Sequence, residues 1–242
     1  SSGFGAAIAR RFAALGHRLV ITGRRADRLH ALAADLAPTP VQVAVFDVRE
    51  RAAIEAAFAG LPAALAEPEI LVNNAGLALG LEPAQRASLE DWETMIDTNT
   101  RGLVICTRLA LPAMVARGRG HVINIGSIAG TYPYGGGNVY CATKAFVSQF
   151  SLALRADLLG TGVRVTSIEP GMAETEFSQV RFKGDRTRAT QVYTGVTPLS
   201  ADDVAEAVVW SAGLPAHVNI NRIELMCTEQ APGGPVVHRQ PT

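Results

Sequence analysis

Tyr140 and Lys144, in the stretch Tyr140-Cys141-Ala142-Thr143-Lys144, stand four residues apart and share one face of any helix that carries them. An ammonium beside a phenol favours the phenolate. A group that ordinarily loses its proton near pH ~10 then becomes usable as an acid and base nearer neutrality. Such pairs also occur on ordinary helix surfaces, so the chemistry depends on what else the fold brings near. Ser127 follows the apolar run His121–Ile125. It is either a turn former or a hydroxyl that donates to a carbonyl oxygen beside the tyrosine. Asn99 falls inside a helical pattern, where asparagine is a modest helix former. It either steadies a local kink or holds a water that relays protons to Lys144. Cys141 neighbours Tyr140 but faces elsewhere on the helix and reads as a packed thiol.

A second set of residues has the composition of a nucleotide cradle. Ser2-Gly3-Phe4-Gly5 opens a helix; glycines there allow close backbone approach to a pyrophosphate, and the helix N-terminus supplies N–H donors and positive dipole. Thr22-Gly23-Arg24-Arg25 follows the next apolar run. In dinucleotide folds an acid at this place holds a ribose 2′-hydroxyl, whereas arginine accommodates a 2′-phosphate. With Arg24 and Arg25 and no acid, NADP is expected rather than NAD. Asp47 ends a third strand, where its carboxylate either accepts from an adenine amino group or caps the next turn. Asn73-Asn74-Ala75-Gly76 ends a fourth, as a turn able to satisfy its own backbone while lying flat against a ribose.

These residues need strands and helices to position them, and the hydrophobic pattern supplies both. Helices are predicted over 6–15, 25–36, 51–65, 88–99 continuing to about 116, 140–159 and 201–211, the last with Ser200 as N-cap. Short apolar strands are predicted over 17–22, 41–47, 70–72, 121–125, 163–168 and 222–226. Such alternation predicts β-α-β units: an α/β, Rossmann-like, doubly wound parallel sheet in a single domain over 1–242. The motifs fall at carboxyl ends of strands or on the helices that follow, the edge where open α/β sheets bind ligands. A strand is expected ahead of Ser1 to aim the glycine turn.

Composition narrows the class. The 242 residues are 48% hydrophobic and 18% charged, which fits a compact enzyme rather than a disordered chain. A net charge of zero gives no field to attract nucleic acid or anionic membrane. No apolar run approaches the ~20 residues of a membrane span. Cys106, Cys141 and Cys227 lack metal-ligand spacing and read as reduced thiols, so a cytoplasmic location and no metal are expected.

Taken in order, Gly-x-Gly, Asn-Asn-Ala-Gly, Asn99, Ser127, Tyr140-x-x-x-Lys144 and Pro170-Gly171 resemble the short-chain dehydrogenase/reductase family over nearly the whole chain. The segments Ile168–Gly171, Thr175–Ser178, Val180–Asp185, Leu214–Asn221 and Val237-His238-Arg239 look more closely like its NADP-dependent 3-hydroxy acid dehydrogenases. That group includes serine or allo-threonine dehydrogenases and malonic semialdehyde reductases. The resemblance implies that Tyr140 exchanges a proton with the substrate oxygen while Lys144 lowers its pKa and bonds the nicotinamide ribose. Ser127 would stabilise the developing alkoxide, and Asn99 would anchor the relay water. It also implies cofactor contacts at Ser2 to Gly5, Arg24, Arg25, Asp47, Val48 and Asn74 to Gly76, and at Pro170, Gly171 and Thr175 near the nicotinamide. The helices near 91–116 and 140–159 would pair between subunits of a homodimer or homotetramer.

The substrate loop, about 172–197, reads Met172-Ala173-Glu174 after Gly171, one residue shorter than in the serine-oxidising members. A carboxylate- or sulfonate-bearing substrate needs a partly desolvated cation. Arg181 is the first choice and Lys183 the second; both alternatively belong to a solvated lid. Tyr134 and Asn138 either line the pocket or pack the loop. A tail over about 229–242 is too irregular for a core element and could reach a neighbouring subunit. The expected activity is NADP-linked interconversion of a small 3-hydroxy acid and its carbonyl form. A sulfoacetaldehyde or broad aldehyde/ketone reductase is the alternative within the class. A non-catalytic NADP-binding sensor is the alternative outside it, opposed by the joint presence of Asn99, Ser127, Tyr140 and Lys144.

Overall fold

Six short apolar runs become parallel strands in a computed structural model that describes residues 1–233. In chain order the elements are α1 (Gly3–Ala14), β1 (Leu19–Gly23), α2 (Ala26–Asp35), β2 (Val41–Val45), α3 (Arg51–Ala59), β3 (Ile70–Asn73), α4 (Leu89–Ile96) and α5 (Gly102–Arg117). They continue as β4 (Gly120–Ile125), α6 (Asn138–Asp157), β5 (Val163–Pro170), α7 (Phe177–Arg181), α8 (Arg186–Gln191), α9 (Ala201–Gly213) and β6 (Arg222–Leu225). A π-helical turn, Asp97–Arg101, joins α4 to α5.

Strand β4 shows why the layers form. Its side chains alternate between faces. Ile123 and Ile125 pack with Ile168 of β5 against Ile8 and Phe12 of α1 and Val204 and Val208 of α9. Val122 turns the other way and meets Ala110 and Met114 of α5 and Leu154 of α6. Each side chain so buried contributes roughly 1.5–3 kcal/mol. A strand covered on both faces has no polar side to offer water, which is the signature of a buried parallel sheet.

The strands order as β1-β2 and, separately, β3-β4-β5-β6. Ile70 pairs with His121, Ile125 with Ile168, and Ser167 with Arg222. Among the described residues no strand joins β1 to β3. Both pieces still end at the same edge, where Gly23, Asn73, Ile125 and Pro170 lead into the loops that carry the site.

Local chemistry sets several boundaries. Ser88 caps α4 by accepting from Asp91 N at 3.2 Å, and Ser200 with Asp203 forms a reciprocal capping box on α9. The helix expected over 51–65 stops at Ala59, since Gly60 and Pro62 follow. The strand expected from His17 begins at Leu19; His17 instead sets its ring edge-on to Phe12 at 5.2 Å. Residues 234–242, with Val237-His238-Arg239 and most of the expected tail, lie outside the described residues.

Candidate active site

A cleft of about 1430 Å³ runs from the carboxyl edge down between β1 and β3. Every residue assigned to the cofactor lines it except Lys144. The glycine turn and the Asn-Asn-Ala-Gly turn meet in its wall: a Cβ at Gly5 would lie 2.8 Å from Asn74 Nδ2. Asn73 does not share this role. Its Nδ2 donates to Thr107 Oγ1 and Asn124 Oδ1, both at 2.8 Å, tying β3 to α5 and β4 in the core.

Behind the cleft, α6 and the π-helical turn hold a buried group. Asn99 is 1% exposed. Its Oδ1 accepts from Leu77 N at 2.9 Å, and its Nδ2 donates to Leu77 O at 2.8 Å and Thr143 Oγ1 at 3.0 Å. Both ends of the amide are thus bonded to protein. Lys144 donates from Nζ to Ile125 O at 2.8 Å. Gly76 is where these elements converge: a Cβ there would sit 3.4 Å from Asn99 Oδ1 and 3.5 Å from Lys144 Nζ.

Tyr140 lies in front of them, with Ser127 beside it on the loop after β4. Ser127 Oγ accepts from Ala129 N at 3.1 Å and donates to Pro170 O at 3.4 Å, which orients the hydroxyl at the cleft floor. Burial pushes the tyrosine up to about 12, against the opposing pull of the Ser127 hydroxyl and the Arg181 guanidinium. Burial also brings Lys144 down to about 8, while the fully buried carboxylate of Glu169 acts to raise it. The resemblance implies that Lys144 lowers the tyrosine pKa. Its ammonium is 6.0 Å from the Tyr140 ring centroid and spends its hydrogen bond on Ile125 O. The nearer cation is Arg181, 5.1 Å from that centroid.

Arg181, at the end of α7, stands in a ring of aromatics. Its guanidinium carbon is 5.6 Å from the Tyr134 centroid and 5.0 Å from Phe177, and one nitrogen donates to Tyr134 OH at 2.6 Å. Its buried Nε has no partner among the described residues. Lys183 is two residues on but points away: its ammonium pairs with Asp91 at 2.8 Å on a side chain 63% exposed, outside the cleft. Asn138 is also outside the cleft. Its Nδ2 donates to Glu82 O at 3.1 Å and its Oδ1 accepts from Val139 N at 2.7 Å, so it ties loops at the start of α6. Tyr134 does line the cleft.

At the other end, Asp47 accepts from the backbone N–H of Arg49 at 3.0 Å and pairs with its guanidinium at 2.7 Å, with Arg24 3.8 Å away. The turn-capping reading of Asp47 therefore describes its contacts. Its carboxyl is held below the usual range, first by the Arg49 hydrogen bond. Arg25 donates to Ser2 Oγ at 2.8 Å. Sequence reasoning missed Arg28 and Glu176, which pair at 2.6 Å. The available signal was Arg28 at i+3 from Arg25, on the same face of the first turn of α2. Gln230 was also missed; it accepts from Met172 N at 2.7 Å and anchors the root of the substrate loop.

Comparison with known proteins agrees with this geometry. Residues 1–186 match the profile of the family described as short chain dehydrogenase. The chain belongs to that family. The NADP-dependent 3-hydroxy acid dehydrogenase YdfG of Salmonella typhi is 60% identical over 240 residues, covering 99% of this chain and 96% of the relative. Sulfoacetaldehyde reductase 2 of Chromohalobacter salexigens is 53% identical, covering 96% and 92%. The closed form of a serine dehydrogenase complexed with NADP+ superposes with a TM-score of 0.97 at 59% identity, over 99% of this chain and 96% of that one. This short-chain dehydrogenase has a cleft whose lining fits NADP: a glycine turn at one wall, guanidiniums at Arg24 and Arg25, and Pro170, Gly171 and Thr175 on the lining shared with Tyr140. No helix among the described residues is long and apolar enough to cross a membrane.

Proposed function

We propose that the chain is an NADP-dependent dehydrogenase that interconverts a small 3-hydroxy acid, of the serine, allo-threonine or 3-hydroxypropionate type, with its carbonyl form. NADP, when bound, accepts or supplies the hydride. Tyr140 exchanges the proton with the substrate oxygen. Ser127, held by the Ala129 N–H that it accepts, turns its one proton from Pro170 O to donate to that oxygen as charge develops on it. Lys144 and Asn99 keep α6 and the π-helical turn in register behind the tyrosine.

The observation that carries the reading is Arg181. A guanidinium with an unpartnered Nε, 5.1 Å from the Tyr140 ring, sits where the acidic end of a three-carbon substrate would lie. Guanidinium grips a carboxylate through two hydrogen bonds, and its charge lowers the phenol towards use. A sulfonate presents the same oxygens, so sulfoacetaldehyde is the second reading, supported by the Chromohalobacter relative. Rates with NADPH or NADP+ across serine, 3-hydroxypropionate, malonic semialdehyde and sulfoacetaldehyde separate the two. Equal rates with uncharged aldehydes would remove Arg181 from substrate selection.

The enzyme acts as a cytoplasmic homo-oligomer. Supporting this, α5 and α6 leave Val115, Phe146 and Leu152 exposed, with Phe146 stacked on Phe150 at 5.7 Å. Native mass spectrometry reads the stoichiometry directly, and a monomer would refute it.

A further inference from the structure

Two guanidiniums converge on one carboxylate at the phosphate end of the cleft. Glu176 Oε1 accepts from Arg28 Nη1 at 2.6 Å, and Oε2 from Arg25 Nη1 at 3.1 Å. The other Arg25 nitrogen donates to Ser2 Oγ at 2.8 Å, at the glycine turn. These are the donors that a phosphate monoester on a ribose 2′-oxygen would use, and an anion already occupies them. The carboxylate is kept ionised, first by the Arg28 hydrogen bond, against the effect of burial. It is also exchangeable, since the side chains of Arg25, Arg28 and Glu176 are 43%, 43% and 38% exposed. Ion pairs this open to water yield to a more highly charged competitor.

Glu176 is the N-cap of α7. Phe177, the next residue, packs its ring tilted against Tyr140 at 5.6 Å, and Arg181 ends the same helix over the tyrosine ring. The residue that neutralises Arg25 and Arg28 is thus the root of the element that carries the substrate cation. We propose that Glu176 is an internal stand-in for the 2′-phosphate. NADP then exchanges phosphate for carboxylate on Arg25 and Arg28, and the exchange releases the root of α7. Arg28 becomes a phosphate ligand alongside Arg25. A dinucleotide without the 2′-phosphate leaves the Glu176 pairs closed, so release of the α7 root, rather than affinity, is the response that distinguishes NADP from NAD. This inference rests on the NADP reading above.

The test uses adenosine 2′,5′-bisphosphate, which carries the phosphate but cannot reach Tyr140, with AMP as the control ligand. Calorimetry on the full chain should show Glu176→Gln binding the bisphosphate roughly fivefold tighter than the unaltered protein, with AMP changed less than about twofold. Arg28→Ala should bind the bisphosphate about tenfold more weakly. Hydrogen exchange over 177–181 should rise when the bisphosphate binds, and should already be raised in ligand-free Glu176→Gln. Unchanged or weaker bisphosphate binding by Glu176→Gln would overturn the stand-in role, showing Glu176 to be a buttress for the arginines. Equal affinity of the unaltered protein for bisphosphate and AMP would overturn the NADP reading and the inference together.

Discussion

The floor of the cleft and its rim hold their polar groups in opposite ways. On the floor, Asn99 and Lys144 are 1% and 6% exposed and bond backbone oxygens or other buried side chains. On the rim, Arg25 and its neighbour Arg28 bond a carboxylate on side chains that water reaches, as Lys183 does farther out. A buried hydrogen bond cannot be traded for water without leaving a group orphaned, so it fixes geometry. An exposed ion pair is worth little and exchanges readily, so it suits groups that must let go and take a ligand. Under the proposed function the contrast divides the labour: the floor would set the reaction, and the rim what reacts.

Breaking the floor should have the largest effect. Tyr140→Phe removes the proton donor and should lower kcat by about 10³-fold, while NADPH fluorescence titration shows cofactor affinity within about twofold. Retained turnover would take the proton transfer away from Tyr140. Next is the boundary between the regions, where fully buried Glu169 meets Arg222, 37% exposed, at 2.7 Å. Arg222→Ala strands a carboxylate in the interior and should cost about 3 kcal/mol in denaturant unfolding. A cost below about 1 kcal/mol would mean that water already solvates Glu169.

Lys144 gives the floor a pH signature. Its folded pKa of about 8 lies below the ordinary 10.5. Between those values the unfolded chain binds more protons than the folded one, so this group's contribution to stability rises with pH and is lost as pH falls. The Tm of the unaltered protein, relative to Lys144→Met, should therefore improve from pH 8 to 10. Higher pH is avoided because Tyr140, raised to about 12, acts in the opposite direction above 10. A flat difference would show that the ammonium is not desolvated.

On the rim, Arg181→Ala should raise KM for the hydroxy acid about tenfold and leave stability nearly unchanged. An unaltered KM would detach it from the substrate. Lys183→Ala should do least, within about 0.5 kcal/mol in unfolding and about twofold in KM, because its partner is Asp91 outside the cleft. A KM effect as large as that of Arg181 would erase the distinction between the two cations.

The difference between floor and rim also explains what could be read from the chain. Tyr140 and Lys144 were legible because helical periodicity alone puts them on one face. Ser127 was legible because a buried parallel strand announces its own end. The strands of the β3–β6 sheet were legible in their continuous apolar runs. Less visible were the fates of polar side chains in loops. Asn73 and Asn74 are adjacent and chemically identical, yet the Asn73 amide bonds Thr107 and Asn124 in the core while that of Asn74 lies against Gly5 of the glycine turn. Asn138 turned to its own backbone, and Lys183 found Asp91. Glu176 meets Arg28 across 148 positions of sequence, and no local pattern encodes that distance.

The sequence by itself determined the α/β alternation, the edge that carries the site and the chemistry of a tyrosine paired with a lysine, since period, propensity and residue type are local properties. The tertiary structure decided which charges meet. It placed Lys144 on Ile125 O rather than against the phenol, set Arg181 over the Tyr140 ring, and joined Arg25 and Arg28 to Glu176. Electrostatic partners are chosen by distance and burial in space, and only the packed chain supplies those.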